Sequence, residues 1–150
     1  RRPAQAVPVP EEGPLALHLK VPQDRTGRRE PLVVIGQTGL ADGFYVRYLD
    51  AGHIAFGYDH WGVPAPESAP IAVDLTGDHV VWVDFDSLHA DREAHTGRLR
   101  VRLNGREVWN LAVASHGYAE AGPLIGKNGI GLSLIEPAFT GVIHRVVNAP

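Results

Sequence analysis

The chain has 150 residues, a mass of 16.2 kDa and a formal net charge of −3. A basic excess is needed to neutralise phosphates, so this charge balance argues against a general nucleic-acid binder. The absence of cysteine rules out a disulfide framework and a thiolate metal site, and no apolar run approaches the roughly 18 residues of a membrane-crossing helix.

Residues 1–14 carry Pro3, Pro8, Pro10 and Pro14. Proline fixes φ and lacks an N–H, so this stretch suits neither a helix nor an interior strand. It reads as a semi-extended linker. No signal peptide is visible. The chain contains no methionine, including at its first position, which leads us to expect a segment of a larger polypeptide. The expected division is a Pro-rich linker over 1–14 and one folded domain over 15–150.

From Leu15 onward the pattern has period two, as in strands whose alternate side chains face a core. Leu15, Leu17, Leu19 and Val21 form the first such run. Phe44, Val46 and Tyr48 form another, followed by Val81, Val83 and Phe85. Leu99, Val101 and Leu103 alternate with arginines, and Val142, His144 and Val146 close the series. Strands are expected near 15–21, 32–36, 43–49, 53–59, 71–74, 79–85, 99–103, 107–113, 124–126, 130–134 and 140–147. Turn signals separate the runs. Asn104-Gly105 suits a turn with positive φ at both central residues. Ala41-Asp42-Gly43, Asp50-Ala51-Gly52 and Thr76-Gly77-Asp78 punctuate in the same way. Asp86 to His95 is expected to form a helical turn or a loop capped by Asp86 or Ser87. Many short antiparallel strands at this spacing imply an all-β sandwich or barrel.

Several segments, in order, resemble laminin G-like domains of the concanavalin A-like group. Pro31 to Gly36 (PLVVIG) and Asp42 to Tyr48 (DGFYVRY) look like early strands of that family. Val101 to Val108 (VRLNGREV) is similar to its strand–Asn-Gly–strand hairpin. Leu124 to Asn128 (LIGKN) resembles an I-G-x-N element, and Phe139 to Ile143 (FTGVI) resembles the closing F-x-G-x-I strand. The resemblance implies a two-sheet antiparallel jelly-roll sandwich and a non-catalytic recognition role.

The densest candidate site is Tyr58, Asp59, His60 and Trp61, at a strand end entering a Pro-rich loop. An aromatic ring can stack on a sugar face while Asp and His bond its hydroxyls. The alternative is packing, with Trp61 plugging the sandwich and Asp59 capping a turn. Some laminin G-like domains bind calcium through loop aspartates and carbonyls, and Asp42, Asp59 and Asn128 are the loop candidates here. Calcium needs six to eight oxygens and no D-x-D-x-D-G loop is present, so no cofactor is expected. The eight histidines include no H-x-x-x-H or H-E-x-x-H pair, so no metal site is expected from them.

Related folds host glycan-cleaving enzymes. Asp84 and Asp86 are the nearest approach to a paired-carboxylate site, but a strand-end Asp pair more often initiates a turn. Ser115 and His116 are sequence neighbours that a strand would send to opposite faces. Arg98, Arg100 and Arg102 line one face, which could grip an acidic glycan or be a solvated outer surface. The expectation is a non-catalytic ligand-binding or adhesion module within a secreted or surface protein. Its partner would be a glycan or an extracellular protein, with no nucleic acid and no membrane insertion by this segment. A glycan-cleaving enzyme and a structural spacer are the alternatives.

Overall fold

A computed structural model describes residues 11–61 and 63–150. The domain is two five-stranded antiparallel sheets stacked face to face. Ten strands follow in chain order: β1 (Leu15–Lys20), β2 (Arg29–Gln37), β3 (Leu40–Asp50), β4 (His53–His60), β5 (Ile71–Ala72), β6 (Asp78–Asp84), β7 (Arg98–Leu103), β8 (Arg106–Ala112), β9 (Leu124–Ile125) and β10 (Val142–Asn148). One sheet has the order β10-β1-β6-β7-β8 and the other β5-β4-β3-β2-β9. Sequential hairpins build part of each sheet, and the chain crosses between sheets elsewhere, as in a jelly roll.

The alternating residues meet between the sheets. Leu15, Leu17 and Leu19 of β1 pack with Val81 and Val83 of β6 and Leu99 and Val101 of β7. The facing layer comes from Val33 and Ile35, from Phe44, Val46 and Tyr48, and from Ile54, Phe56 and Tyr58. Phe44 and Phe56 stack with ring centres 5.3 Å apart. Burial of this apolar surface is the main term holding the layers together. No helix among the described residues is long and apolar enough to cross a membrane.

The hairpin expected at Asn104-Gly105 joins β7 to β8, with φ of 53° and 83° at the two residues. The Asn104 side chain then reaches back, accepting from the Val80 amide at 2.8 Å. The β2 strand tolerates Pro31 because its pairing with β3 shifts register between Pro31 and Val33, where a missing N–H costs no ladder bond.

Three sequence expectations need correction. Ala41-Asp42-Gly43 is inside β3 rather than in a turn; the reversal falls earlier, with Gly39 at φ 82°. Residues 130–134 are not a strand. Asn128 braces them as a loop, donating to the carbonyls of Leu132 and Ile135 and accepting from the Leu132 amide. In β10 the inward positions are Ile143 and Val146, because a bulge opposite His18 and Leu19 shifts the alternation. Val142 is consequently exposed.

The expected linker falls largely on residues 1–10, outside the described residues. Residues next to it touch the domain: Gly13 donates its amide to the Leu88 carbonyl at 2.8 Å, and Asn148 donates its side-chain amide to the Glu11 carbonyl.

The second sheet is covered on its outer face as well. Val34, Ala41 and Tyr45 pack there beneath Leu132 and Ile135 from the 128–137 loop. Trp61, Ala65, Leu124 and Ile130 join this smaller cluster. Gly43 makes the contact possible: a methyl at that position would lie 2.6 Å from Leu132 Cδ1 and 2.9 Å from Ile135 Cδ1.

Candidate functional site

The four sequence candidates diverge, because strand alternation at the end of β4 sends them to different places. Tyr58 points between the sheets. It is 1% exposed, its ring meets Phe85 edge-on at 5.5 Å, and its hydroxyl donates to the Ala114 carbonyl at 2.8 Å. Burial, reinforced by the nearby Asp42 charge, raises its phenol well above the ordinary range. Tyr58 is thus a core residue with a satisfied hydroxyl, turned away from any ligand.

His60 belongs to a polar brace at the same end. Asp42 lies opposite it on β3 and is fully buried. One carboxylate oxygen accepts from His60 Nδ1 at 2.6 Å. The other accepts from the Ser87 hydroxyl and from the His116 amide, the latter at 2.8 Å. The rings of His60 and His116 stack with centres 3.9 Å apart and planes 17° from parallel. One ligating atom each from Asp42, His60 and His116 lie within 4.8 Å of one another. A shared metal ion needs lone pairs that converge on it. Lone pairs of stacked rings run side by side, and both Asp42 oxygens already accept protein donors. This arrangement works as a brace joining β3 and β4 to the 3-10 turn Asp86–Leu88 and the loop at His116.

The calcium candidates have similar fates. Asp42 is enclosed in that brace, and the Asn128 side chain is spent within its own loop.

Asp59 and Trp61 emerge on the outer face of the second sheet. With Val63, Pro64, Leu132 and Leu134 they line a cleft of about 450 Å³. Asp59 is only 8% exposed, and its carboxylate has no hydrogen-bond partner among the described residues. Its carboxyl is pushed above the ordinary range, first by burial and then by the Asp42 charge, against an opposing pull from His60. Val63 and Leu134 are exposed at the mouth. The Trp61 backbone is fixed from two sides: its amide donates to the Ala41 carbonyl at 3.0 Å, and its carbonyl lies 3.2 Å from His116 Nε2.

Glu67 anchors the far end of the Trp61 loop. Its carboxylate accepts from Arg29 Nε at 2.8 Å, Tyr45 OH at 2.6 Å and Arg47 Nη1 at 2.8 Å. Arg47 Nε is buried without a partner among the described residues. Neither Glu67 nor the loop at Leu132 stood out in the sequence. The local signals available were Asn128 between glycines and an isolated acid within a Pro-rich stretch.

The other expected chemistries find structural roles. The Asp86 oxygens accept from the backbone amides of Thr96 and Gly97 at 2.8 and 2.9 Å. Asp84 pairs with His89 Nε2 at 2.6 Å. Both carboxylates therefore hold the 86–97 segment. A larger cleft of about 660 Å³ near His89, His95, His116 and Tyr118 has much of its polar lining engaged, including His95 Nε2 on the His89 carbonyl at 2.7 Å. Arg102 lies 4.1 Å over the Trp82 ring and Arg100 pairs with Glu107 at 3.2 Å. Arg98 bonds Asn110 at 2.6 Å. This outer face is a partnered, solvated surface.

The chain matches no protein-family profile, and no curated protein matches it in sequence. Solved structures do match. The CBM40 module of the Ruminococcus gnavus IT-sialidase, bound to α2,3-sialyllactose, aligns over 93% of this chain and 77% of its own, with 16% identity and a TM-score of 0.56. The same module bound to α2,6-sialyllactose gives 15% identity and a TM-score of 0.55, over 91% of this chain and 75% of its own. The SAP-like pentraxin of Limulus polyphemus aligns over 91% of this chain and 63% of its own, with 17% identity and a TM-score of 0.56. Identity this low speaks to architecture alone, and both kinds of neighbour are two-sheet lectin-type sandwiches. The chain has the concanavalin A-like jelly-roll fold that its alternating strands and its resemblance to laminin G-like domains led us to expect.

Proposed function

We propose that this chain is a non-catalytic carbohydrate-binding module that holds a sugar in the cleft between Asp59 and Trp61. The observation that carries this reading is Asp59, a residue 8% exposed whose carboxylate reaches the cleft surface with no hydrogen-bond partner among the described residues. A partly desolvated acceptor without protein donors favours a ligand that brings them. Sugar hydroxyls supply such donors, and Trp61 offers a ring face for the apolar side of the same sugar. The apolar lips at Val63 and Leu134 extend that surface. Small-ligand sites share this pattern of apolar walls with a few convergent polar groups.

The sugar-binding neighbours of the fold support this reading, as does the structural employment of Asp84 and Asp86. In this reading the module serves in a secreted or surface-anchored protein. Its role there is adhesion to a glycan, alone or displayed on an extracellular protein. Glycan-array screening followed by calorimetry on the best ligand tests this. Trp61→Ala should abolish binding while leaving the circular dichroism spectrum unchanged. Unaltered binding in Trp61→Ala would move the site elsewhere.

A further inference from the structure

We infer that the Asp59 cleft selects saccharides carrying a protonated primary amine and discriminates against acidic ones. The inference rests on the proposed sugar site and names its ligand class. Among Asp59, Trp61, Val63, Pro64, Ala65, Leu132, Ser133 and Leu134, the only charged group is Asp59. Among the described residues, no lysine, arginine or histidine lines the cleft to receive a sugar carboxylate or sulfate. Behind Asp59 stands a second carboxylate, Asp42, fully buried. The nearest imidazole, His60, directs Nδ1 to Asp42. On the same sheet face, Glu67 binds both the Arg29 and Arg47 guanidiniums and offsets one of their two charges, and neither arginine lines the cleft. The charges at the cleft floor itself are those of Asp59 and, behind it, Asp42.

Two properties of an ammonium group fit this floor. It brings three donors to a carboxylate that has free lone pairs, and its charge offsets that of a group taken out of water. The Trp61 ring in the adjoining wall offers a π face to the same cation. A neutral sugar supplies donors without the charge. An acidic sugar places like charges together in a poorly solvated cleft. Burial of Asp59 and the proximity of Asp42, which already raise its carboxyl, are the penalties that a bound amine relieves.

The test uses the 150-residue chain and three oligosaccharides of equal length: a glucosamine oligomer, its fully N-acetylated counterpart and a galacturonate oligomer. Calorimetry is run at a pH where the amine is protonated. The glucosamine oligomer should bind about tenfold more tightly than the acetylated one, equivalent to about 1.4 kcal/mol, and the uronate should bind weakest. Asp59→Asn should erase the difference between the first two. Glu107→Gln, on the opposite sheet, changes net charge equally and should preserve it. In the unaltered protein the preference should shrink as salt is added, which provides a measurement independent of any variant's folding. Equal binding of amine and acetamide, or a preference that survives Asp59→Asn, overturns the inference. Trp61-dependent binding of the acetylated oligomer without amine preference would overturn the inference alone. If all three oligomers fail to bind, the sugar-site reading falls with it.

Discussion

Replacing Glu67 by glutamine probes how the cleft wall is held. The carboxylate accepts from Tyr45, Arg29 and Arg47, and its side chain is 21% exposed. Burial alone would raise its pKa, but the three donors outweigh burial and hold it at about 2, against 4.5 for the free side chain. That displacement corresponds to roughly 3 kcal/mol of stability at neutral pH. The folded value lies below the unfolded one. The contribution is therefore complete above pH 4.5 and is lost as pH falls towards 2. Glu67→Gln should be less stable at pH 7 by up to roughly 3 kcal/mol, since the amide oxygen still accepts one bond. At about 2–4 °C per kcal/mol for a chain of this size, Tm should fall by up to about 12 °C. Urea unfolding at steps from pH 7 to pH 3 measures the gap, which should narrow in the acid range. A gap absent at pH 7, or constant across the series, would refute the assignment. Because Glu67 also ties down the loop carrying Trp61, sugar affinity should fall in the same variant.

Asp42→Ala strands the Ser87 hydroxyl, the His116 amide and His60 around a buried void, and should cost about 3–5 kcal/mol by chemical denaturation; a Tm unchanged from the parent would contradict the brace. Gly43→Ala forces Leu132 and Ile135 off the sheet, so stability should drop by about 1–3 kcal/mol and sugar affinity should weaken with it, both measurable on one sample by melting and calorimetry. Asp59→Asn should have the opposite effect on stability. Its folded carboxyl titrates above the unfolded value of 3.8, so ionisation destabilises the fold as pH rises and a neutral isostere removes that penalty. Tm at pH 7 should rise while sugar binding weakens, a trade-off usual for binding sites; a lower Tm would show that Asp59 supports the fold.

Much of the fold was legible because one sheet has a solvated face. Leu99, Val101 and Leu103 alternate cleanly with arginines, and Asn104-Gly105 marks its hairpin without help from tertiary contacts. The other sheet was harder to read. Tyr45 and Val34 are buried on its outer face by a loop about ninety residues distant in sequence, and no local periodicity announces such a cover. The Ile130 to Leu134 run alternates like a strand, yet Asn128 holds its backbone in a loop that presses Leu132 onto Gly43. The candidate site was half legible. Asp59 and Trp61 share a cleft, but Tyr58 and His60 point the other way, as β alternation requires. Their partners, Ala114 for the Tyr58 hydroxyl and His116 stacked on His60, come from a segment more than fifty residues on. Glu30, completely buried beneath Tyr48, Arg25 and Thr140, gave no sign of its role because its donors are assembled only in the fold.

The sugar cleft is tested most directly by following backbone amide resonances of the isotope-labelled domain while its best array ligand is titrated in. The account predicts saturable shifts concentrated at Asp59, Trp61, Val63 and Leu132 to Leu134, with the arginine face of β7 silent. Shifts centred instead on His89 and Tyr118, or on Arg98 to Arg102, would contradict it.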